Sequence, residues 1–170
     1  SFSEAVDSLL FYGIDGPVIF EAADGIYHDG LEITEIPFAS ESNTVTFTSQ
    51  SKDSTKVTLA YDADDQHPYT IMLDGADYIH FEQMTLSALD DSISRVVHLK
   101  NGADYNRFSN NFIHAKGSNG ALIFFETDTN SYNRFERNLF EGGFSAFFMK
   151  GSETSGNSMG NVIHENTMKN

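Results

Sequence analysis

The stretch Phe81-Glu82-Gln83-Met84-Thr85-Leu86 returns as Phe108-Ser109-Asn110-Asn111-Phe112-Ile113, as Phe135-Glu136-Arg137-Asn138-Leu139-Phe140 and as Ile163-His164-Glu165-Asn166-Thr167-Met168. Successive steps from Phe81 are 27, 27 and 28 residues. Met84, Asn111, Asn138 and Asn166 keep that register, and so do Leu86, Ile113, Phe140 and Met168. Self-similarity at a fixed short period marks a repeat architecture, in which each unit buries its apolar face against its neighbours.

A second apolar series lies between these stretches: Thr70–Leu73, Val96–Leu99, Ala121–Phe125 and Ala146–Met149. Each run is short and bounded by Gly, Asn, Asp or Ser, the pattern of strands closed by turns. Each period therefore holds at least two strands. A strand-helix-strand crossover needs about 30 residues or more and an amphipathic helix, which this repeat lacks. Coiling the chain so that equivalent strands stack in parallel about 4.8 Å apart buries the recurring Phe, Ile, Leu and Met columns. The reading is an all-β solenoid, a parallel β-helix with coils of about 27 residues.

Two asparagine columns run in the same register: Asn111, Asn138 and Asn166, and Asn106, Asn133 and Asn161. Identical amides one coil apart can hydrogen-bond along a stack, and Asn tolerates the left-handed backbone of tight corners. A sugar-binding comb is the functional alternative; ladder and corner chemistry is the reading adopted.

The first third is less regular. Ser3–Leu10 reads as a short helix with Ser1 or Ser3 as N-cap, Val6, Leu9 and Leu10 on one side and Gly13 at its exit. Strands are expected at 18–20, 31–33, 45–47 and 57–59. The helix is placed to cap the first coil, whose open edge would otherwise recruit other chains. The chain thus divides into a capping α-helix (1–13), irregular first coils (14–76) and regular coils (77–170). From Asn161 a further repeat begins without an evident cap, so the coils are expected to continue, or to meet another domain or subunit.

Of the 170 residues, 25 are acidic and 10 basic, for a net charge of -15. Such a charge repels nucleic acid and anionic membrane surfaces at long range, and disfavours polyuronates unless cations bridge them or basic residues cluster. With no Cys there are no disulfides or thiolate metal sites. No apolar run approaches the ~18 residues of a membrane span, and the chain starts at Ser1 without a charged and apolar leader, so any export signal is expected outside this segment or already removed.

With Gly13–Val18, Gly25–Tyr27, Asn43–Phe47 and Leu73–Phe81 added to the repeats, nearly the whole chain resembles the right-handed parallel β-helix repeat proteins of the pectate-lyase-like superfamily. It is most similar to the N-terminal β-helix of large exported or surface proteins of Bacteroidota-type bacteria. The resemblance implies right-handed coils and a secreted or cell-surface location. It leaves activity open, because one scaffold hosts unrelated functions.

A lyase on this scaffold needs a cation to neutralise a uronate carboxylate and a base to take the neighbouring proton. Asp74, Lys100, Glu126 and Lys150 each follow an apolar strand, at steps of 26, 26 and 24, and would stack as alternating charges on one outer face. The structural reading is an ion-pair ladder of modest energy; the functional one makes Asp74, Lys100 and Glu126 catalytic candidates. Asp62, Asp64 and Asp65 are candidate calcium ligands, although the loop lacks the Gly and distal Glu of an EF-hand and also reads as a solvated acidic turn. His80, His98, His114 and His164 lie in or beside strands without ligand spacing, and read as outward residues. The 25 acids hold no evident glycosidase pair. Nucleophile-elbow, phosphate-loop and dinucleotide motifs are all absent. Phe140, Phe144, Phe147 and Phe148 are read as core rather than as a sugar platform.

The leading expectation is a non-enzymatic structural or adhesive segment of a larger surface protein, contacting polysaccharide and needing no cofactor. The alternatives are a polysaccharide lyase or glycoside hydrolase, and a subunit that stacks into an assembly.

Overall fold

Short runs of alternating inward apolar and outward polar residues fold as short strands, and the described residues of the computed structural model carry seventeen of them after one helix. It describes residues 1–92, 95–126, 129–151 and 157–169; residues 93–94, 127–128, 152–156 and 170, which the 77–170 division includes, lie outside the described residues. The helix α1 spans Phe2–Tyr12. The first coil holds β1 (Val18–Ala22), β2 (Gly25–Tyr27) and β3 (Leu31–Thr34), and the second β4 (Val45–Ser49), β5 (Val57–Tyr61) and β6 (Ile71–Asp74). The third holds β7 (Ile79–Glu82), β8 (Thr85–Ala88) and β9 (Val97–Lys100), and the fourth β10 (Arg107–Ser109), β11 (Phe112–Ala115) and β12 (Ala121–Phe125). The fifth holds β13 (Arg134–Glu136), β14 (Leu139–Glu141) and β15 (Ser145–Met149), after which β16 (Val162–His164) and β17 (Thr167–Lys169) begin a sixth.

Equivalent strands pair in parallel to give three sheets. The first is β1-β4-β7-β10-β13-β16, the second β2-β5-β8-β11-β14-β17, and the third β3-β6-β9-β12-β15. The chain is therefore a parallel β-solenoid with three strands per coil. Phe81–Leu86 and its repeats hold two strands rather than one. Gln83, Asn110, Arg137 and Glu165 stand between them with φ of 57°, 57°, 54° and 54°, and this left-handed residue turns the chain from the first sheet into the second. The irregularity of the early coils comes from loops: Val45 pairs with Ile79, 34 positions on, because residues 50–56 and 62–70 leave the coil.

The interior is a column of rings. Phe20, Phe47, Phe81, Phe108 and Phe135 stack with centroid separations of 5.3, 5.0, 5.5 and 5.1 Å. Each fully buried ring contributes roughly 1.5–3 kcal/mol through the water it sheds, and offset stacking adds to that. At the N-terminal end α1 closes the column by burying Phe2, Val6 and Leu9. Ser1 is its N-cap, with a reciprocal capping box to Glu4. Gly13 ends the helix at φ 65°, donating its amide to the Leu9 carbonyl (2.8 Å), where a Cβ would sit 2.9 Å from Pro37.

The asparagines bond mainly to backbone, not to each other. Asn111 donates Nδ2 to the Phe81 carbonyl (2.8 Å) and accepts at Oδ1 from the Met84 amide (3.1 Å). Asn138 treats the Phe108 carbonyl and Asn111 amide alike, and Asn166 the Phe135 carbonyl and Asn138 amide. In the second column Asn106, Asn133 and Asn161 accept from the amides of Ile79, Asn106 and Asn133, and donate to the carbonyls of Ala76, Ala103 and Asn130. Among the described residues a single amide-to-amide bond occurs within these columns, from Asn138 Nδ2 to Asn166 Oδ1 at 3.1 Å. The expectation that the asparagines themselves adopt the left-handed conformation is corrected as well: the residue before each does so, including Tyr105 before Asn106 and Tyr132 before Asn133. A buried corner breaks the strand ladder and leaves an amide and a carbonyl to satisfy, and a carboxamide supplies both partners.

Candidate functional site

Alternation that points Phe81, Phe108 and Phe135 inward turns His80, Arg107 and Arg134 outward in one column, and Glu82, Ser109, Glu136 and His164 outward in the next. This outer face of the first sheet is laced by charge. Arg107 places Nη1 3.6 Å from Glu82 Oε1 and Nε 3.3 Å from Glu136 Oε2, while Arg134 donates from Nη2 to Glu136 Oε1 at 2.6 Å. The Arg134 bond, helped by the Arg134 and Arg107 charges, holds the Glu136 carboxyl below the usual carboxylate range. Arg137, at the corner, donates to Asn110 Oδ1 (3.2 Å) and faces Glu165 (3.8 Å). Three of the chain's four arginines thus gather on one face, matched there by three glutamates.

The opposite border of this face is aromatic. Tyr78, Tyr105 and Tyr132, two residues ahead of His80, Arg107 and Arg134, take left-handed φ values of 61°, 57° and 58°. Their rings are nearly parallel, with centroids 5.0 and 4.9 Å apart, and Tyr105 and Tyr132 remain 43% and 41% exposed. Gly160 lies against the Tyr132 ring, where a Cβ would clash. Beside the ladder, Asp77 accepts from the Asp104 amide (2.8 Å) and Asp104 from the Ser131 amide (2.6 Å). Burial pushes both carboxyls up despite those bonds, and the Asp104 charge adds to the shift at Asp77. Neither the tyrosines nor the arginine network was picked out from sequence. The signal was there in the steps of 27 from Tyr78 to Tyr105 to Tyr132 and from Arg107 to Arg134.

On the outer face of the third sheet, Asp74 and Lys100 are register neighbours and pair at 3.1 Å. Glu126 bonds instead to His98, whose Nε2 lies 2.7 Å from Glu126 Oε2, and Lys150 is exposed two strands away. Asp74 and Lys100 therefore form one pair, Glu126 pairs outside the set with His98, and Lys150 has no salt-bridge partner among the described residues, so the four do not make one alternating ladder. His98 is only 5% exposed, under Tyr69 and against Phe124, with Arg95 Cζ 4.0 Å from the Phe124 ring centroid. Burial lowers the His98 pKa against the pull of Glu126. Burial, with Glu32 nearby, pushes the Tyr69 hydroxyl up to about 12, so it is not a base at neutral pH. Of the cations whose charge acts on His98, Lys100 is held by Asp74 and Arg95 lies over the Phe124 ring.

Asp64 turns its Oδ1 onto the amides of Gln66 and His67 (2.8 Å each), and those bonds lower its pKa. Asp62 is near enough for its charge to act on Lys116, which itself pairs with Asp91 at 2.7 Å. Asp65 is exposed. Among the described residues no group of three or more His, Asp or Glu is placed to hold a metal ion. Glu82 and Glu136, separated by Ser109 in one column, have the spacing of a glycosidase pair in outline, two coils or about 9.6 Å apart. The Arg134 bond, however, holds the Glu136 carboxyl below the usual carboxylate range, as a carboxylate rather than an acid.

Of the four phenylalanines read as core, Phe140 is buried and Phe147 partly so; Phe144 and Phe148 are exposed at 86% and 48%. Strand alternation turns Phe148 outward, stacked on Phe124 at 5.2 Å, and Phe144 lies in the turn before β15. A hollow of about 230 Å³ beneath α1 is lined by Phe2, Phe20, Tyr27 and Phe47, and one of about 320 Å³ at the last full coil by Phe140, Phe144 and Met168. Glu21 and Tyr27 are the titratable side chains at the first and Lys169 at the second. Among the described residues no helix is long and apolar enough to cross a membrane. No family model, curated protein or solved structure matches the chain.

Proposed function

We propose that the chain is a rigid, non-catalytic β-solenoid segment of a larger exported or cell-surface protein of the pectate-lyase-like, Bacteroidota type that the repeats resemble, with a structural or adhesive role and contact with carbohydrate. The observation that carries this is the way the polar groups are used. Corner asparagines are spent on tying one coil to the next, the candidate catalytic charges Asp74 and Lys100 on an ion pair with each other, and Glu126 on a hydrogen bond with His98. Such a stack transmits load and displays a long surface, as solenoids do.

The test is a screen of the purified chain against neutral glycans, pectin and alginate, with and without calcium, scoring retention, unsaturated products and new reducing ends. Retention without products is expected. Products that disappear on replacing Lys100 or Asp74 would instead make the chain a polysaccharide-degrading enzyme.

A further inference from the structure

We propose that the outer face of the first sheet is the docking surface for an extended, uncharged polysaccharide lying along the solenoid axis on the Tyr78–Tyr105–Tyr132 ladder. This rests on the carbohydrate-contacting reading above and names its site and ligand class.

Three observations converge. The first is strain: a bulky residue at positive φ is disfavoured, and Gly or Asn would make the same corner more easily. Three successive coils nonetheless place Tyr there, at φ 61°, 57° and 58°. The fold does not need those rings for its interior, which has its own buried phenylalanine column. At the other corner of the same sheet the left-handed positions hold Gln83, Asn110, Arg137 and Glu165, none of them aromatic.

The second is geometry. Centroids 5.0 and 4.9 Å apart exceed the contact thickness of a ring, so the tyrosines overlap like stair treads and each stays partly in solvent. An extended glycan also repeats by about one ring length per sugar, so successive residues meet successive treads. The sheet beside the ladder offers planar polar groups, the guanidiniums of Arg107 and Arg134 and the carboxylates of Glu82 and Glu136, suited to sugar hydroxyls. Under them Ser109 Oγ is buried without a hydrogen-bond partner among the described residues, a group that a ligand hydroxyl entering the network would satisfy.

The third is charge. The chain carries -15 overall, yet here three arginines are balanced by three glutamates. The face has no surplus cation to hold a polyanion against the repulsion of the remainder, and a neutral chain escapes that repulsion.

The experiment is affinity electrophoresis of the whole chain in gels containing hydroxyethyl cellulose, galactomannan or alginate. Retardation is expected in at least one neutral gel and not in alginate. Tyr105→Gly, in which Gly accepts the φ of 57° and only the ring is lost, should weaken retardation about tenfold in apparent affinity. Glu141→Gln, on the second sheet, should leave it unchanged. The chain has no Trp, so the tyrosine absorbance band should also shift when the wild-type chain is titrated with the retarding glycan; this decides the matter if Tyr105→Gly unfolds. Retardation in alginate alone overturns the ligand class. Neutral-glycan binding that survives Tyr105→Gly, or that leaves the tyrosine band unmoved, overturns the site but keeps the carbohydrate reading. No retardation in any gel overturns both.

Discussion

At a buried corner a carboxamide serves two backbone groups at once, and Asn138 shows what that is worth. It joins the Phe108 carbonyl and the Asn111 amide. Asn138→Ala leaves both without partners and should cost about 2–4 kcal/mol in urea unfolding; Asn138→Asp keeps an acceptor but loses the donor and buries charge, and should be no better. A loss within experimental error would show that water replaces the side chain there. Ionisation belongs to the same scale. Burial depresses His80, His98 and His114 below their ordinary 6.5. The folded state therefore holds them neutral while the unfolded state takes up protons, so their contribution is complete above about pH 6.5 and is lost as pH falls through the folded values. Asp77 and Asp104, raised by burial, act oppositely and regain stability as pH falls towards 3.8. The urea midpoint should accordingly drop between about pH 7 and 5, and His98→Gln should flatten that slope. A flat wild-type profile would contradict the buried setting of these histidines.

At the scale of the element, the corner decides where one strand ends and the next begins. Its left-handed residue costs about 1–2 kcal/mol in backbone energy for anything but Gly. Gln83, at φ 57°, makes one weak side-chain contact, a 3.5 Å bond from Thr48. Gln83→Gly should therefore raise stability by roughly 0.5–1 kcal/mol, less than the strain relieved because Gly also loosens the unfolded chain; a lower denaturation midpoint would mean the side chain matters more than the backbone. These corners also explain what sequence left hidden. Gln83, Asn110, Arg137 and Glu165 share a conformation but no chemistry, so no residue type announces that Phe81–Leu86 is two strands. The asparagine columns were visible because one residue type is needed at each step. Their bonding was not, because it depends on which backbone groups the corner leaves unpaired.

For the whole molecule, stability is close to a sum over neighbouring coils, and the ends are where it is most easily lost. The helix α1 covers the first coil through Phe2, Val6 and Leu9. Val6→Asp should lift it and uncover the strand edge beneath, giving a chain that associates with rising concentration in light scattering; a variant that stays monomeric would show that the edge is protected by something other than the helix. The period of 27 residues, the parallel stacking, the capping helix and the inward columns could all be read from the sequence alone, because a solenoid repeats the same local environment at each coil and so writes its core as a pattern. Tertiary structure alone decided which outward side chains meet. It paired Lys100 with Asp74 but gave Glu126 to His98, and it set three arginines and three glutamates beside a tyrosine ladder. Outward partners depend on how each long side chain bends and on loops such as 62–70 that fold over a face, and neither follows the repeat.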